Sequence, residues 1–234
     1  MIMVSLPDIV KAFAQGLKNA DSRKPKYEKY QAGFAESLKH VDNPPVDNSQ
    51  RPKCKNYQAG IGPFPEPKAI ALIIQELSHM QELSHIKVEQ DVFYPDPETR
   101  QKCDICIFSN SNHCDWAIEV KLLRFLGDNG KPNDNMLTHI LSPYPQHKSA
   151  LNDCVRLAKS SFAAKKAILI YGFEHDEWPL EPAIEAFEHL ANEYLANKIP
   201  VKYQLGTRYV SCFTGLIHPI HTQGKVFGWE LQVI

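Results

Sequence analysis

Apolar residues recur at two different spacings along the chain, and each spacing predicts a different kind of element. In the segment LPDIVKAFAQGL, Pro7 and Asp8 stand where a helix can start, and apolar residues follow at four-residue intervals. The segment EPKAIALIIQELSHMQELSHI carries an apolar stripe of the same helical type. Helical patterns also cover residues 29–41, 147–162 and 181–197. The chain is therefore expected to form five helices.

Short runs that are rich in β-branched and aromatic residues predict strands. These runs cover residues 86–94, 102–108, 115–123, 166–174, 202–218 and 224–234. Successive strands with short connections favour antiparallel pairing, whereas a strand, a helix and a strand in sequence favour a parallel crossover. We therefore predict an α/β protein with a mixed central β-sheet that is flanked by helices on both faces.

A stretch rich in Pro, Gly and Asn, residues 42–67, interrupts these periodic patterns and predicts a long irregular connection. We divide the chain there into an N-terminal helical arm with its linker, residues 1–65, and an α/β core, residues 66–234. With 234 residues the chain is long enough for one sizeable hydrophobic core. We expect residues 66–234 to form one compact unit.

Composition limits the cellular compartment and the binding partners that we expect for the protein. The six cysteines are too sparse for a disulfide scaffold, and the sequence has neither a membrane-span pattern nor a signal-peptide pattern. We therefore expect a cytoplasmic protein without a membrane partner. The net charge of −1 limits any contact with nucleic acid to a local patch. The basic residues of the arm are candidates for such a patch: Lys18, Arg23, Lys24, Lys26 and Lys29.

Charged residues stand inside two segments that otherwise have the pattern of buried strands. In DWAIEVKLL, Glu119 and Lys121 project from one face of a strand that is apolar on both faces. In CDICIF, Asp104 shares a face with Cys106 and Phe108. A buried charge costs several kcal/mol unless it is paired or binds an ion. If the two strands pair, the carboxylates of Asp104 and Glu119 can converge.

Two converging carboxylates remain ionised at neutral pH when they share a divalent cation, which prefers oxygen ligands. Lys121 projects from the same strand face as Glu119 and can orient a water molecule on that cation. Such a site suits phosphodiester hydrolysis, because the cation neutralises the phosphate and the ammonium stabilises the developing negative charge. An ordinary buried ion pair is the alternative explanation of these residues.

Over residues 68–173 the chain resembles the PD-(D/E)xK nuclease superfamily, in which an acid on one strand is followed by E-x-K on the next. The resemblance implies a restriction-endonuclease-like fold, with Asp104 and Glu119 as ligands of Mg²⁺ or Mn²⁺ and Lys121 as the catalytic lysine. Cys103 stands in place of the proline of the family name, at a position that varies widely in the family.

The family often takes one more acid from a helix before these strands, and Glu76 stands where that acid is expected. Glu82 and Glu89 compete with Glu76 for this role. A second E-x-K, at residues 66–68, begins a helix and is interpreted as a surface pair. In the family, the helix after the E-x-K strand flanks the cleft, so Lys148 is a candidate phosphate contact.

His147 and Asp153, near Lys148, are weaker candidates for a role at the site. A zinc site of Cys103, Cys106, His113 and Cys114 is a rival interpretation of the same region. On a regular strand the side chains of Cys103 and Cys106 point to opposite faces, which disfavours zinc.

We therefore expect a metal-dependent nuclease that acts on nucleic acid, with DNA as the expected substrate. Nucleases of this fold that cut both strands frequently act as dimers, so a homodimer is one assembly that the resemblance allows, and the sequence does not decide whether the chain works alone. A catalytically inactive nucleic-acid-binding or assembly protein with a nuclease-like fold is the alternative.

Overall fold

A computed structural model describes residues 4–25, 60–80, 86–95, 100–109, 113–133 and 135–234. In these residues a seven-stranded mixed β-sheet is flanked by five helices, as the sequence predicts. The helix predicted over residues 29–41 and the candidate Glu82 lie outside the described residues.

The strands follow the predicted order, and their bounds are β1 Lys87–Phe93, β2 Lys102–Phe108, β3 Trp116–Leu123, β4 Lys165–Phe173, β5 Tyr203–Leu205, β6 Tyr209–Thr214 and β7 Gln223–Val233. The helices are α1 Leu6–Ser22, α2 Glu66–Leu77, α3 Met136–Leu141, α4 Ala150–Lys159 and α5 Glu181–Asn197. A capping box between Ser5 and Asp8 starts α1, and the side chain of Ser149 caps α4.

The strand order in the sheet is β1-β2-β3-β4-β7-β5, and β6 also pairs with β7. Strands β3 and β4 are parallel, and all the other neighbouring pairs are antiparallel. The segment between β3 and β4 contains α3 and α4, as a parallel crossover requires. β3 therefore lies inside the sheet with a neighbour on each side, which explains its apolar residues on both faces.

The sheet separates the core into two halves. Helices α1 and α2 cover the first face of the sheet. The side chains of Trp116, Ile118 and Val120 on β3 belong to the same half of the core. Helices α3, α4 and α5 cover the second face. Because the apolar stripe of α1 packs into the first half, the division at residue 65 does not separate α1 from the core.

Several elements differ from those that the sequence predicts, among them α4, which is shorter than the helix predicted over residues 147–162. Helix α2 ends at Leu77, although its apolar pattern continues to residue 86. The run over residues 202–218 forms two strands, β5 and β6, that pair with different parts of β7. The short helix α3 has no counterpart among the predicted elements. Within the described residues, no helix is long and apolar enough to cross a membrane.

Candidate functional site

The predicted site residues meet where β2 and β3 stop pairing through their backbones. The last paired residues are Ile105 and Ile118. Beyond them, Asp104 Oδ2 accepts the N–H of Val120 at 2.8 Å. Val120 is the central residue of the E-x-K sequence, so this contact joins the predicted acid of β2 to the predicted Glu119 and Lys121 of β3.

The alternation of side chains along β2 breaks at Asp104. Cys103 and Cys106 both belong to the second half of the core, whereas Ile105 and Ile107 belong to the first. The expectation that the two cysteines point to opposite faces is therefore wrong, because β2 is not a regular strand at this residue. The thiol of Cys103 donates to the carbonyl oxygens of Ile105 and Ile118 at 3.4 Å.

Glu119 lies in the second half of the core, and only 1% of its side chain is exposed. Its Oε1 accepts a hydrogen bond from the hydroxyl of Tyr94. The same Oε1 lies 2.7 Å from a terminal guanidinium nitrogen of Arg156 on α4. Burial raises the pKa of Glu119, and the nearby carboxylates of Asp153 and Asp104 add to this shift while Arg156 opposes it.

Lys121 is 11% exposed and is held between two carboxylates. Its Nζ lies 2.8 Å from Asp153 Oδ2 and 3.3 Å from Glu66 Oε1. Burial disfavours the charged ammonium, but Asp153, Glu66 and Asp104 outweigh burial and raise the pKa of Lys121. The lysine therefore stays protonated.

Glu66, Asp104, Glu119 and Asp153, with Lys121 and Arg156, are called the carboxylate cluster below. Four carboxylates against two cations give a formal charge of −2 when all are ionised. Burial raises the pKa of Glu66 to about 7, and Lys121 only partly opposes this shift. Burial also raises the pKa of Asp153. Burial therefore favours the protonated form of these carboxyl groups, and Lys121 and Arg156 favour the ionised form.

The four carboxylates differ in how many of their oxygens are engaged. Glu66 uses both oxygens, one on Lys121 and one on the N–H of Leu122 at 2.6 Å. Asp153 also uses both, on Lys121 and on Arg156. Asp104 and Glu119 each have one oxygen that forms no hydrogen bond or ion pair with another described residue. The two predicted ligands are thus the two carboxylates with an oxygen to offer.

Among residues 4–25, 60–80, 86–95, 100–109, 113–133 and 135–234, no group of three or more His, Cys, Asp or Glu side chains is arranged to hold a metal ion. Mg²⁺ commonly takes only one or two carboxylates from a protein and fills its other positions with water and substrate phosphate. Asp104 and Glu119 fit that requirement in number and in donor type, since each is a carboxylate with one oxygen outside the hydrogen bonds and ion pairs of the cluster.

Glu76, predicted as the third acid, does not join the carboxylate cluster. It forms an ion pair with Arg23 at 2.6 Å. Glu66 starts the same helix ten residues earlier, about 15 Å away along the axis, and contacts Lys121 instead. Interpreting Glu66 as part of a surface pair is therefore wrong. The alternative Glu89 pairs with Lys87 on β1.

The candidate residues near α4 also occupy different places from those that the sequence predicts. Lys148 is exposed, with a left-handed backbone (φ 47°), next to the cap of α4. The ring of His147 lies 2.6 Å from the Ser142 hydroxyl. Asp153, a weaker candidate by sequence, lies at the centre of the cluster. Its spacing from Ala150 and Leu157 puts Asp153 on the apolar stripe of α4. A charged residue on an apolar stripe is the sequence feature that could have identified Asp153 as a site residue.

Tyr94 and Arg156 were not predicted as site residues, because no motif or spacing in the sequence links them to Glu119. Comparisons of this chain with protein-family models, with curated proteins and with solved structures found no match.

Proposed function

We propose that this protein is a metal-dependent nuclease that hydrolyses phosphodiester bonds in nucleic acid, with DNA as its substrate, in the cytoplasm. The observation that carries the proposal is the contact of Asp104 with the Glu119-Val120-Lys121 strand, inside a cluster of four carboxylates and two cations. Asp104 and Glu119 each offer one oxygen there, beside a lysine that is held protonated.

In this proposal Asp104 and Glu119 hold Mg²⁺ or Mn²⁺. An ion held by these two carboxylates would neutralise charge on the phosphate and lower the pKa of a water molecule that attacks it. Lys121 presents its ammonium from the same strand and stabilises the negative charge that develops on the phosphate oxygens. Asp153 and Glu66 keep that ammonium in place through the ion pairs at 2.8 Å and 3.3 Å.

Two surfaces are proposed to contact the nucleic-acid backbone. Lys148 is exposed where α4 begins and is free of ion pairs among the described residues, so it can meet a phosphate. At the end of α1, Lys18, Arg23 and Lys24 are exposed and form the described part of the basic patch, in which Arg23 is paired with Glu76. Contacts of this kind depend on salt but not on base sequence.

A second candidate function is an inactive nucleic-acid-binding or assembly protein with the same fold. The observation in its favour is that every carboxylate of the cluster already has a partner. Asp153 and Glu66 hold Lys121, Arg156 binds Glu119, and Asp104 takes a backbone N–H. Such a network of ion pairs can be part of the folded structure without binding a metal or taking part in a reaction.

A calorimetric titration of Mn²⁺ into the full chain and into Glu119→Gln separates the two functions. The same samples are then tested for metal-dependent cleavage of plasmid DNA and of DNA and RNA oligonucleotides. Glu76→Gln is the matched control, because Glu76 is a buried acid with an arginine partner outside the cluster.

For a nuclease we expect the parent and Glu76→Gln to bind Mn²⁺ and to cleave DNA, and Glu119→Gln to lose both properties. If the parent neither binds Mn²⁺ nor cleaves, the cluster is a structural ion-pair network and the binding or assembly function is the one to pursue. If only RNA is cleaved, the proposal of metal-dependent phosphodiester hydrolysis is retained and RNA replaces DNA as the substrate.

A further inference from the structure

Tyr94 reaches Glu119 from the residue that follows β1. Its side chain is buried, with 5% of the residue exposed, and its hydroxyl donates to Glu119 Oε1. The backbone N–H of Tyr94 donates to the carbonyl of Gln101 at 3.0 Å, which fixes the start of the side chain. The ring of Phe162 packs against Tyr94 at a centroid distance of 5.3 Å. The hydroxyl is therefore held at a defined place.

Arg156 contacts the same region from the opposite direction. Its guanidinium lies 5.4 Å from the centre of the Tyr94 ring. A terminal nitrogen lies 2.7 Å from Glu119 Oε1 and 2.6 Å from Asp153 Oδ1. Tyr94 and Arg156 thus hold one oxygen of Glu119 from two sides, and Asp153 in turn holds Arg156.

Holding Oε1 also sets the direction of Oε2, because a carboxylate group is planar and rigid. With neither donor present, the group could rotate about its last side-chain bond, whose torsion is broad. A carboxylate with one fixed and one open oxygen is organised for a ligand at the open oxygen. Hydrogen bonds that orient a metal ligand contribute to metal affinity in the same way.

We propose that Tyr94 is a positioning residue, which holds Glu119 so that Oε2 faces the divalent ion, and that Arg156 completes this support. The inference rests on the proposed nuclease function, since it assigns Glu119 the role of a ligand. Tyr94 does not itself touch the ion or the substrate.

The test is a calorimetric titration of the full-length parent, Tyr94→Phe and Tyr171→Phe with Mn²⁺ alone. Tyr94→Phe removes one donor and keeps the aromatic ring. Tyr171→Phe is the matched control, because Tyr171 is equally buried and no described residue hydrogen-bonds its hydroxyl. Thermal unfolding of the three metal-free proteins shows whether a loss of fold accounts for any difference.

We expect Tyr94→Phe to bind Mn²⁺ about 10- to 100-fold more weakly than the parent. Tyr171→Phe should bind like the parent. Equal affinity of Tyr94→Phe and the parent would overturn the positioning role and leave the nuclease proposal intact. Absence of binding in the parent would overturn both.

Arg156→Lys provides a second variant in case Tyr94→Phe does not fold. In the parent, one terminal nitrogen of Arg156 contacts both Glu119 and Asp153, and the shorter lysine side chain keeps the positive charge without placing its ammonium at that position. We expect Arg156→Lys also to bind Mn²⁺ more weakly, because Glu119 Oε1 loses a fixed donor while the charge of the site is unchanged. Unchanged affinity in this variant would overturn the supporting role of the guanidinium.

Discussion

At the residue scale, Lys121 is needed for the fold as well as for the proposed reaction. Two carboxylates from different helices, Asp153 on α4 and Glu66 on α2, depend on its ammonium. Removing one partner of a buried ion pair leaves an uncompensated charge. A loss of activity in a lysine variant therefore has to be separated from a loss of stability.

We expect Lys121→Ala to lower the free energy of unfolding by about 3–5 kcal/mol, because Glu66 loses its counter-ion and Asp153 keeps only Arg156. Urea denaturation measures this loss. Lys87→Ala is the control, since its pair with Glu89 is exposed and should contribute about 1 kcal/mol or less. The double variant Lys121→Ala with Asp153→Asn should recover part of the loss. Equal losses in the two single variants would contradict the structural role of Lys121.

Individual residues of the site were predictable where charge interrupts an apolar strand. That signal identifies Asp104, Glu119 and Lys121, which the structure brings together. The prediction of Glu76 rather than Glu66 as the third acid of the site was wrong, because the sequence does not show which turn of a helix meets the end of a strand. Tyr94 was missed because a buried tyrosine after a strand is an ordinary core residue by pattern.

At the scale of elements, the loop between β6 and β7 carries two fully buried histidines. His218 and His221 stack with ring centroids 4.7 Å apart. Nδ1 of His218 accepts the backbone N–H groups of Ile220 and His221 at 3.2 Å. Burial, with a smaller contribution from His221, lowers the pKa of His218 to about 4. The loop is thus built around a neutral imidazole.

This geometry predicts a loss of stability at acidic pH. The unfolded chain binds a proton on His218 below about pH 6.5, whereas the folded chain binds it only near pH 4, so stability falls as the pH falls between these values. We expect His218 to account for about 1–3 kcal/mol of this loss. His218→Asn keeps an acceptor for the two N–H groups but does not titrate.

Thermal unfolding of the parent and of His218→Asn at about pH 7.5 and about pH 5 measures the effect. Contributions from Glu66 and from other titrating groups that do not contact His218 occur in both proteins and cancel in the comparison. The melting temperature of His218→Asn should fall less than that of the parent over this range. Parallel falls would show that His218 binds its proton equally well in the folded protein.

The elements themselves were largely predictable because burial on both faces gives β3 and β4 continuous apolar runs. Helix α5 begins and ends where its apolar pattern does. The division of residues 202–218 into β5 and β6 was not predicted. It arises because the two strands pair with different parts of β7, and the sequence of the segment does not show where its partner strand lies. The end of α2 at Leu77 was missed because the apolar stripe does not stop there.

At the scale of the whole molecule, the carboxylate cluster exists only when the chain is folded. Its acids come from α2, β2, β3 and α4, which are spread between residues 66 and 153. The net charge of the chain is −1, so the local excess of negative charge in the cluster is a product of the fold rather than of composition. A cation bound by the cluster must therefore stabilise the folded state over the unfolded one.

We expect Mn²⁺ at about 100 times its dissociation constant to add about 2.7 kcal/mol to the free energy of unfolding. For a chain of this size that corresponds to a rise of roughly 5–11 °C in melting temperature. Chelation with EDTA should return the melting temperature to its starting value. Glu76→Gln should keep the full rise, because its ion pair with Arg23 lies outside the cluster.

Glu119→Gln should lose most of this rise, since it removes one of the two carboxylates with an open oxygen. An equal rise in Glu119→Gln and in the parent would show that Mn²⁺ stabilises the protein through some other surface. A rise that is confined to proteins with an intact Glu119 would link metal binding to the point where β2 and β3 separate. The contact between Asp104 and Val120 at that point would then be the structural basis of the metal site.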